Sequence, residues 1–115
     1  MEIVIKRAYE EPAQADGYRA LVDRMWPRGV TKNALQSDEW CRDVAPSAAL
    51  CKWFGHDPAR FDEFAIRYKA ELAASDAPKQ ILERAKDHRR LTLVCSAKDT
   101  RFNQAVVLAD YLGTL

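Results

Sequence analysis

The chain has 115 residues, 48% apolar and 30% charged, and its 18 basic and 17 acidic side chains leave a net charge of +1. That length suits a single domain able to bury a core without disulfides or metal. The charge balance excludes the polycationic surface of a general nucleic-acid binder. Three cysteines, Cys41, Cys51 and Cys95, cannot all pair within the chain, and none stands in a Cys-x-x-Cys arrangement. A reducing, cytoplasmic setting is therefore expected, and with only two distant histidines no metal is implied. Met1–Arg7 is too short and too charged for a signal peptide, and no apolar run approaches a membrane span, so neither export nor membrane insertion is expected.

In chain order, Ile3–Ile5 is a short apolar run that predicts a strand covered on both faces. The polar stretch from Glu10 to Gly17 predicts a mobile loop. Ala20–Val22 predicts a second buried strand, followed at once by Asp23, Arg24, Met25, Trp26, Pro27, Arg28 and Gly29. A large aromatic and two forked cations on a Pro/Gly turn mark a contact surface, because loops are where binding groups gather. A short helix is expected from Pro46-Ser47, carrying Leu50, Trp53 and Phe54 to a stop at Gly55.

Asp57-Pro58 starts the most secure helix, with an N-cap acid before a proline that loses nothing at the first helical position. Its apolar stripe is Phe61, Phe64, Ala65, Tyr68 and Leu72, with Glu63, Arg67 and Glu71 as helical-spaced charges opposite. Asp76-Ala77-Pro78 opens another helix through Ile81, Leu82 and Ala85. Leu91–Cys95 predicts a third strand, and Asp99 or Thr100 is expected to cap a last helix ended by Gly113. The pattern is α/β in a single domain over residues 1–115: a small, largely parallel sheet of three or more strands flanked by helices. The direction of the second strand stays open. If it runs parallel to the others, Asp23, Arg24 and Arg28 join Arg7, Cys95, Ser96, Lys98 and Arg101 at the ligand-binding end of the sheet; a hairpin sends them to the opposite edge.

Three constellations carry candidate chemistry. Cys95 and Arg101 have the Cys-x5-Arg spacing of a cysteine phosphatase loop, in which a thiolate attacks phosphorus and the arginine clamps equatorial oxygens. The loop holds no glycine and does hold Asp99, and a cysteine ending a strand also serves as a plain core residue. Asp23, Arg24 and Arg28 around Trp26 suit an anion with a ring stacked beside it, or an Asp–Arg lock on the turn. His56 beside Asp57 suits proton transfer, or a helix–helix turn in which Asp57 is a cap. Dinucleotide, Walker and Gly-x-Ser-x-Gly motifs are missing, so no cofactor is implied.

Leu21–Gly29, Ala45-Pro46-Ser47, Trp53–Pro58 with Phe61, Phe64, Tyr68, Glu71 and Leu72, and Leu91–Asp99 with Asn103 and Ala105–Leu108 together resemble the YeaO-like branch of the bacterial domain of unknown function 488. The resemblance covers almost the whole chain. It implies a small cytoplasmic α/β domain without an established reaction, some of whose members carry regulator labels. The wider family places Cys-His-Arg at the helix after the cysteine-ended strand, where this chain has Asn103-Gln104-Ala105. The resemblance groups Asp23, Arg24, Trp26, Arg28, Ser47, Lys98, Asp99 and Asn103 as polar residues of one site.

The favoured reading is a pocket for a small anionic, phosphate- or nucleotide-like molecule, built by the Asp23–Gly29 loop and the Cys95–Asn103 turn. Arg24, Trp26, Arg28, Ser47, Ser96, Arg101 and Asn103 are the candidate binding residues. Asp23, Cys95, Lys98 and Asp99 are the candidate catalytic ones, for hydrolysis or group transfer. The alternative is a non-catalytic regulatory module that uses Arg24 and Arg28 on nucleic acid. A homodimer with Trp26 and Trp40 at its seam is a third.

Overall fold

The computed structural model describes residues 1–115. Its sheet contains β1 (Glu2–Arg7), β2 (Tyr18–Leu21), β3 (Glu39–Trp40) and β4 (Arg90–Cys95), in the order β1-β4-β2-β3. Every pairing is parallel, with Ile5 opposite Leu93 and Leu93 opposite Ala20. The open question about the second strand is thereby answered: β1, β2 and β4 all end on the same side. The helices are α1 (Lys32–Leu35), α2 (Ala48–Phe54), α3 (Phe61–Ala73), α4 (Ala77–Ala85) and α5 (Gln104–Leu112). None is long and apolar enough to cross a membrane.

Alternation along the central strands divides the molecule. Leu91, Leu93 and Cys95 of β4, with Ala20 and Val22, face a core completed by α2 to α5. Leu21 and Val94 face the other way, against Ala8, Leu35 and the half-buried Trp26 and Val30. The helices therefore lie mostly on one face, and a single turn of helix plus the Trp26 loop covers the other. The edge position of β1 leaves Ile5 37% exposed, so the expectation of a strand covered on both faces fails there.

Several helix ends follow the sequence signals. Ser47 Oγ accepts from Leu50 N–H at the start of α2, and Gly55 ends it at φ +55°. Asp57 accepts from Ala59 N–H, but the chain makes one 3-10 turn before α3 begins. Phe64, Tyr68 and Leu72 are buried as the stripe predicts, while Phe61 and Ala65 are half-buried. Two caps differ from expectation. Ser75 Oγ, not Asp76, takes the Ala77 N–H. Asn103, not Asp99 or Thr100, caps α5 through Val106 N–H, because Asp99 first closes a turn onto Arg101 and Phe102.

The expected mobile loop is anchored instead. Asp16 is 5% exposed and pairs with Arg19 at 2.6 Å and Lys6 at 3.1 Å, while its backbone carbonyl accepts from Thr92 Oγ1. Gly17 fits at φ +66°, where a Cβ would lie 2.3 Å from Arg90 O. Burial pushes the Asp16 carboxyl up, but hydrogen bonds from Ala13 N–H, Lys6 and Arg19 outweigh it and hold it below its ordinary value. The stabilisation is thus present above the unfolded value of 3.8 and is lost as pH falls through the lower folded one. Asp16→Asn is expected to cost about 3–5 kcal/mol at neutral pH, since it leaves Arg19 buried without its counter-charge. In urea melts, the gap between variant and wild type should begin to narrow only below about pH 4 and close once the pH is below the lower folded value.

Candidate functional site

With the strands parallel, the Asp23–Gly29 loop after β2 and the Ser96–Asn103 turn after β4 meet at one end of the sheet. They enclose a cleft of about 600 Å³ with the end of α2, in the position where open α/β sheets bind ligands. Asp23, Arg24, Trp26, Arg28, Ser96, Lys98 and Asp99 line it. Of the other sequence candidates, Cys95, Ser47, Arg101 and Asn103 stand outside that lining.

Asp23 joins the two segments. One carboxylate oxygen accepts from Ser96 N–H at 2.8 Å and Ser96 Oγ at 2.6 Å, and the other accepts from Gln104 Nε2 at 2.6 Å. Burial pushes its pKa up, against the pull of the Ser96 and Gln104 bonds and of nearby His56. Because the folded carboxyl holds its proton more readily, Asp23 favours folding on acidification, opposite in sign to Asp16. The expected lock between Asp23 and an arginine does not form.

The loop is fixed by three aromatic donors. Trp40 Nε1 donates to Asp23 O at 2.8 Å, Trp26 Nε1 to Val30 O at 2.7 Å and Tyr9 Oη to Arg28 O at 3.1 Å. The Trp26 and Trp40 rings meet edge-on at 5.4 Å. These side chains are spent on carbonyls that no sheet or helix satisfies, which leaves Arg24 and Arg28 exposed on a rigid support. Neither guanidinium, nor the exposed Lys98 ammonium, has a partner; the ion pairs of the chain lie elsewhere. Asp99 turns its Oδ1 onto Arg101 and Phe102 N–H groups, which hold its carboxyl below the usual range.

The Cys-x5-Arg spacing does not build a phosphatase loop. Cys95 is 1% exposed, and burial with the Asp23 charge pushes its thiol up to about 11, the reverse of an activated nucleophile. Arg101 points out beside the Phe102 ring, 5.7 Å from its centroid. Ser47 is committed to Glu71, donating through N–H at 2.8 Å and Oγ at 2.7 Å; Glu71 is thereby drawn from the helix-surface pairing that Glu63 and Arg67 do make at 2.7 Å. Asn103 is 1% exposed and fully occupied as a cap and as a donor to Asp99 O. No group of three or more His, Cys, Asp or Glu side chains is placed to hold a metal ion.

Residues that the sequence argument left out of the site also line the cleft. Gln104 follows the α5 cap, so its place at the first turn after β4 was readable once that cap was assigned to Asn103. Tyr9, Met25 and Cys51 carried no local signal. His56, weighed only as a proton carrier, sits on the wall at φ +58° with its ring 6.0 Å from Phe54.

The profile of the inactive DUF488-N3 subclade matches residues 2–114. The chain belongs to this family. Among its relatives, the uncharacterized protein YeaO of Escherichia coli (strain K12) is 44% identical over 115 residues, which is all of both chains. The uncharacterized protein Rv3073c of Mycobacterium tuberculosis (strain ATCC 25618 / H37Rv) is 42% identical over 109 residues, 95% of this chain and 92% of that one. No solved structure matches. Within this DUF488-N3 member, Asp23→Ala should strand the Ser96 and Gln104 donors and lower stability by about 1–3 kcal/mol in thermal or urea unfolding. Asp23→Asn, which keeps one acceptor oxygen, should lose less.

Proposed function

We propose that the cleft binds a small phosphate-bearing anion without turning it over. The observation that carries this reading is the convergence of three unpaired cations, Arg24, Arg28 and Lys98, on a cleft with two carboxylates, of which Asp23 is bonded on both oxygens and Asp99 turns Oδ1 onto backbone N–H groups. Guanidinium groups match phosphate oxygens in pairs, and a rigid loop spares the ligand the cost of ordering them. The thiolate of a cysteine phosphatase is lacking. Cys95 is buried and protonated at neutral pH, and Asp23 has donors on both oxygens. The word "inactive" in the family description agrees with binding alone.

Phosphate or pyrophosphate is expected to raise the melting temperature relative to chloride at matched ionic strength. Arg24→Ala or Arg28→Ala should weaken that binding about tenfold each, and 4-nitrophenyl phosphate should release no nitrophenolate. Melting curves identical in phosphate and chloride would overturn the reading. Cys51 supplies a second readout, because it is exposed and lines the cleft while Cys41 and Cys95 are buried. One thiol should react with a chromogenic disulfide in the native protein, and bound anion should slow it. Nucleic acid competes for the same cations, and steep salt dependence of oligonucleotide binding, lost in Arg24→Ala, would favour it.

A further inference from the structure

Resting on the anion-binding reading, we infer that the natural ligand is an organic phosphate with an apolar, flat body, rather than a free phosphate, a sugar phosphate or a nucleotide. Two independent features of the cleft lead there.

The first is where hydrogen-bonding capacity has gone. Ser96 gives both its N–H and its hydroxyl to Asp23, and Gln104 gives its amide to the same carboxylate. Tyr9 Oη and Trp26 Nε1 are spent on the carbonyls of Arg28 and Val30. The donors of Ser96, Gln104, Tyr9 and Trp26 are thus turned inward. A ligand finds charged groups for its anionic end and few neutral side-chain partners, chiefly His56, for hydroxyls or base edges, whose polar atoms would lose water with little replacement.

The second is where apolar surface has been left out. Met25 is 73% and Tyr9 51% exposed, among the largest exposures of any apolar side chain, and both stand at the cleft beside the free arginines. Behind them the floor is Pro46 with the Phe54 and Phe64 rings, stacked at 4.2 Å and 16° and themselves buried in the core. Exposed apolar groups gathered at a concavity mark a binding groove, and methionine adapts its shape to flat partners. The volume, about 600 Å³, lies in the range that holds a drug-sized molecule, so an inorganic ion leaves most of it unfilled.

Calorimetric titration with 1-naphthyl phosphate, inorganic phosphate and AMP tests the inference. Naphthyl phosphate is expected to bind at least tenfold more tightly than either competitor. Met25→Ser, at an exposed position that does not support the core, should erase threefold or more of that advantage and leave inorganic phosphate unchanged. Equal binding of naphthyl phosphate and inorganic phosphate, AMP binding as tightly as naphthyl phosphate, or a Met25→Ser variant with full naphthyl affinity would each overturn the apolar body while the anion site stands. Failure of all three compounds to bind would remove the anion site itself, and this inference with it.

Discussion

The Asp23 carboxylate leaves the end of β2 and is met by the backbone and hydroxyl of Ser96 beyond β4 and by Gln104 in the first turn of α5. Burying a carboxylate is costly unless its oxygens are satisfied, and here three donors from two segments satisfy it. The same contacts set the distance between the two loops that form the cleft. Strand pairing brings β2 and β4 side by side, but it does not fix what their loops do beyond the last ladder bond. Asp23 does, and the aromatic donors Trp26, Trp40 and Tyr9 hold the rest of its loop by the backbone.

This arrangement separates charge by location. Near the site, Asp23 is consumed by N–H and O–H groups and Asp99 gives one oxygen to backbone N–H groups, while Asp16, before the start of β2, answers Arg19 and Lys6. Arg24, Arg28 and Lys98 are left over. Because all three are exposed, water solvates them and their isolation costs little stability. The fold thus depends on none of the cations of the cleft.

Local physics made much of this legible in the sequence. Apolar runs located β1, β2 and β4, and Ser47, Gly55, Asp57 and the Phe64, Tyr68 and Leu72 stripe announced their helices through capping and periodicity. Long-range contacts decided what stayed hidden. The two-residue β3 has no pattern of its own and exists because Asp38 and Cys41 reach Arg19 and Leu21. Glu71 reads as a surface charge until Ser47, 24 residues earlier, folds onto it. Cys95 and Arg101 have suggestive spacing, yet strand alternation sends the thiol into the core and the turn at Asp99 sends the guanidinium outward. Ser47 and Asn103 are polar for the sake of helix starts, a reason indistinguishable from ligand binding without coordinates.

The two margins of the sheet are treated differently. Beside β2, β3 is only Glu39–Trp40, so that side offers little backbone to a newcomer. Beyond β1 there is no neighbouring strand, only Glu10 covering Arg7 N–H at 2.6 Å. An intruding extended peptide, or a second molecule caught half-unfolded, has one seam at which to add itself. Self-association through backbone pairing would accordingly start at Ile3 and Ile5, on the flank away from β3.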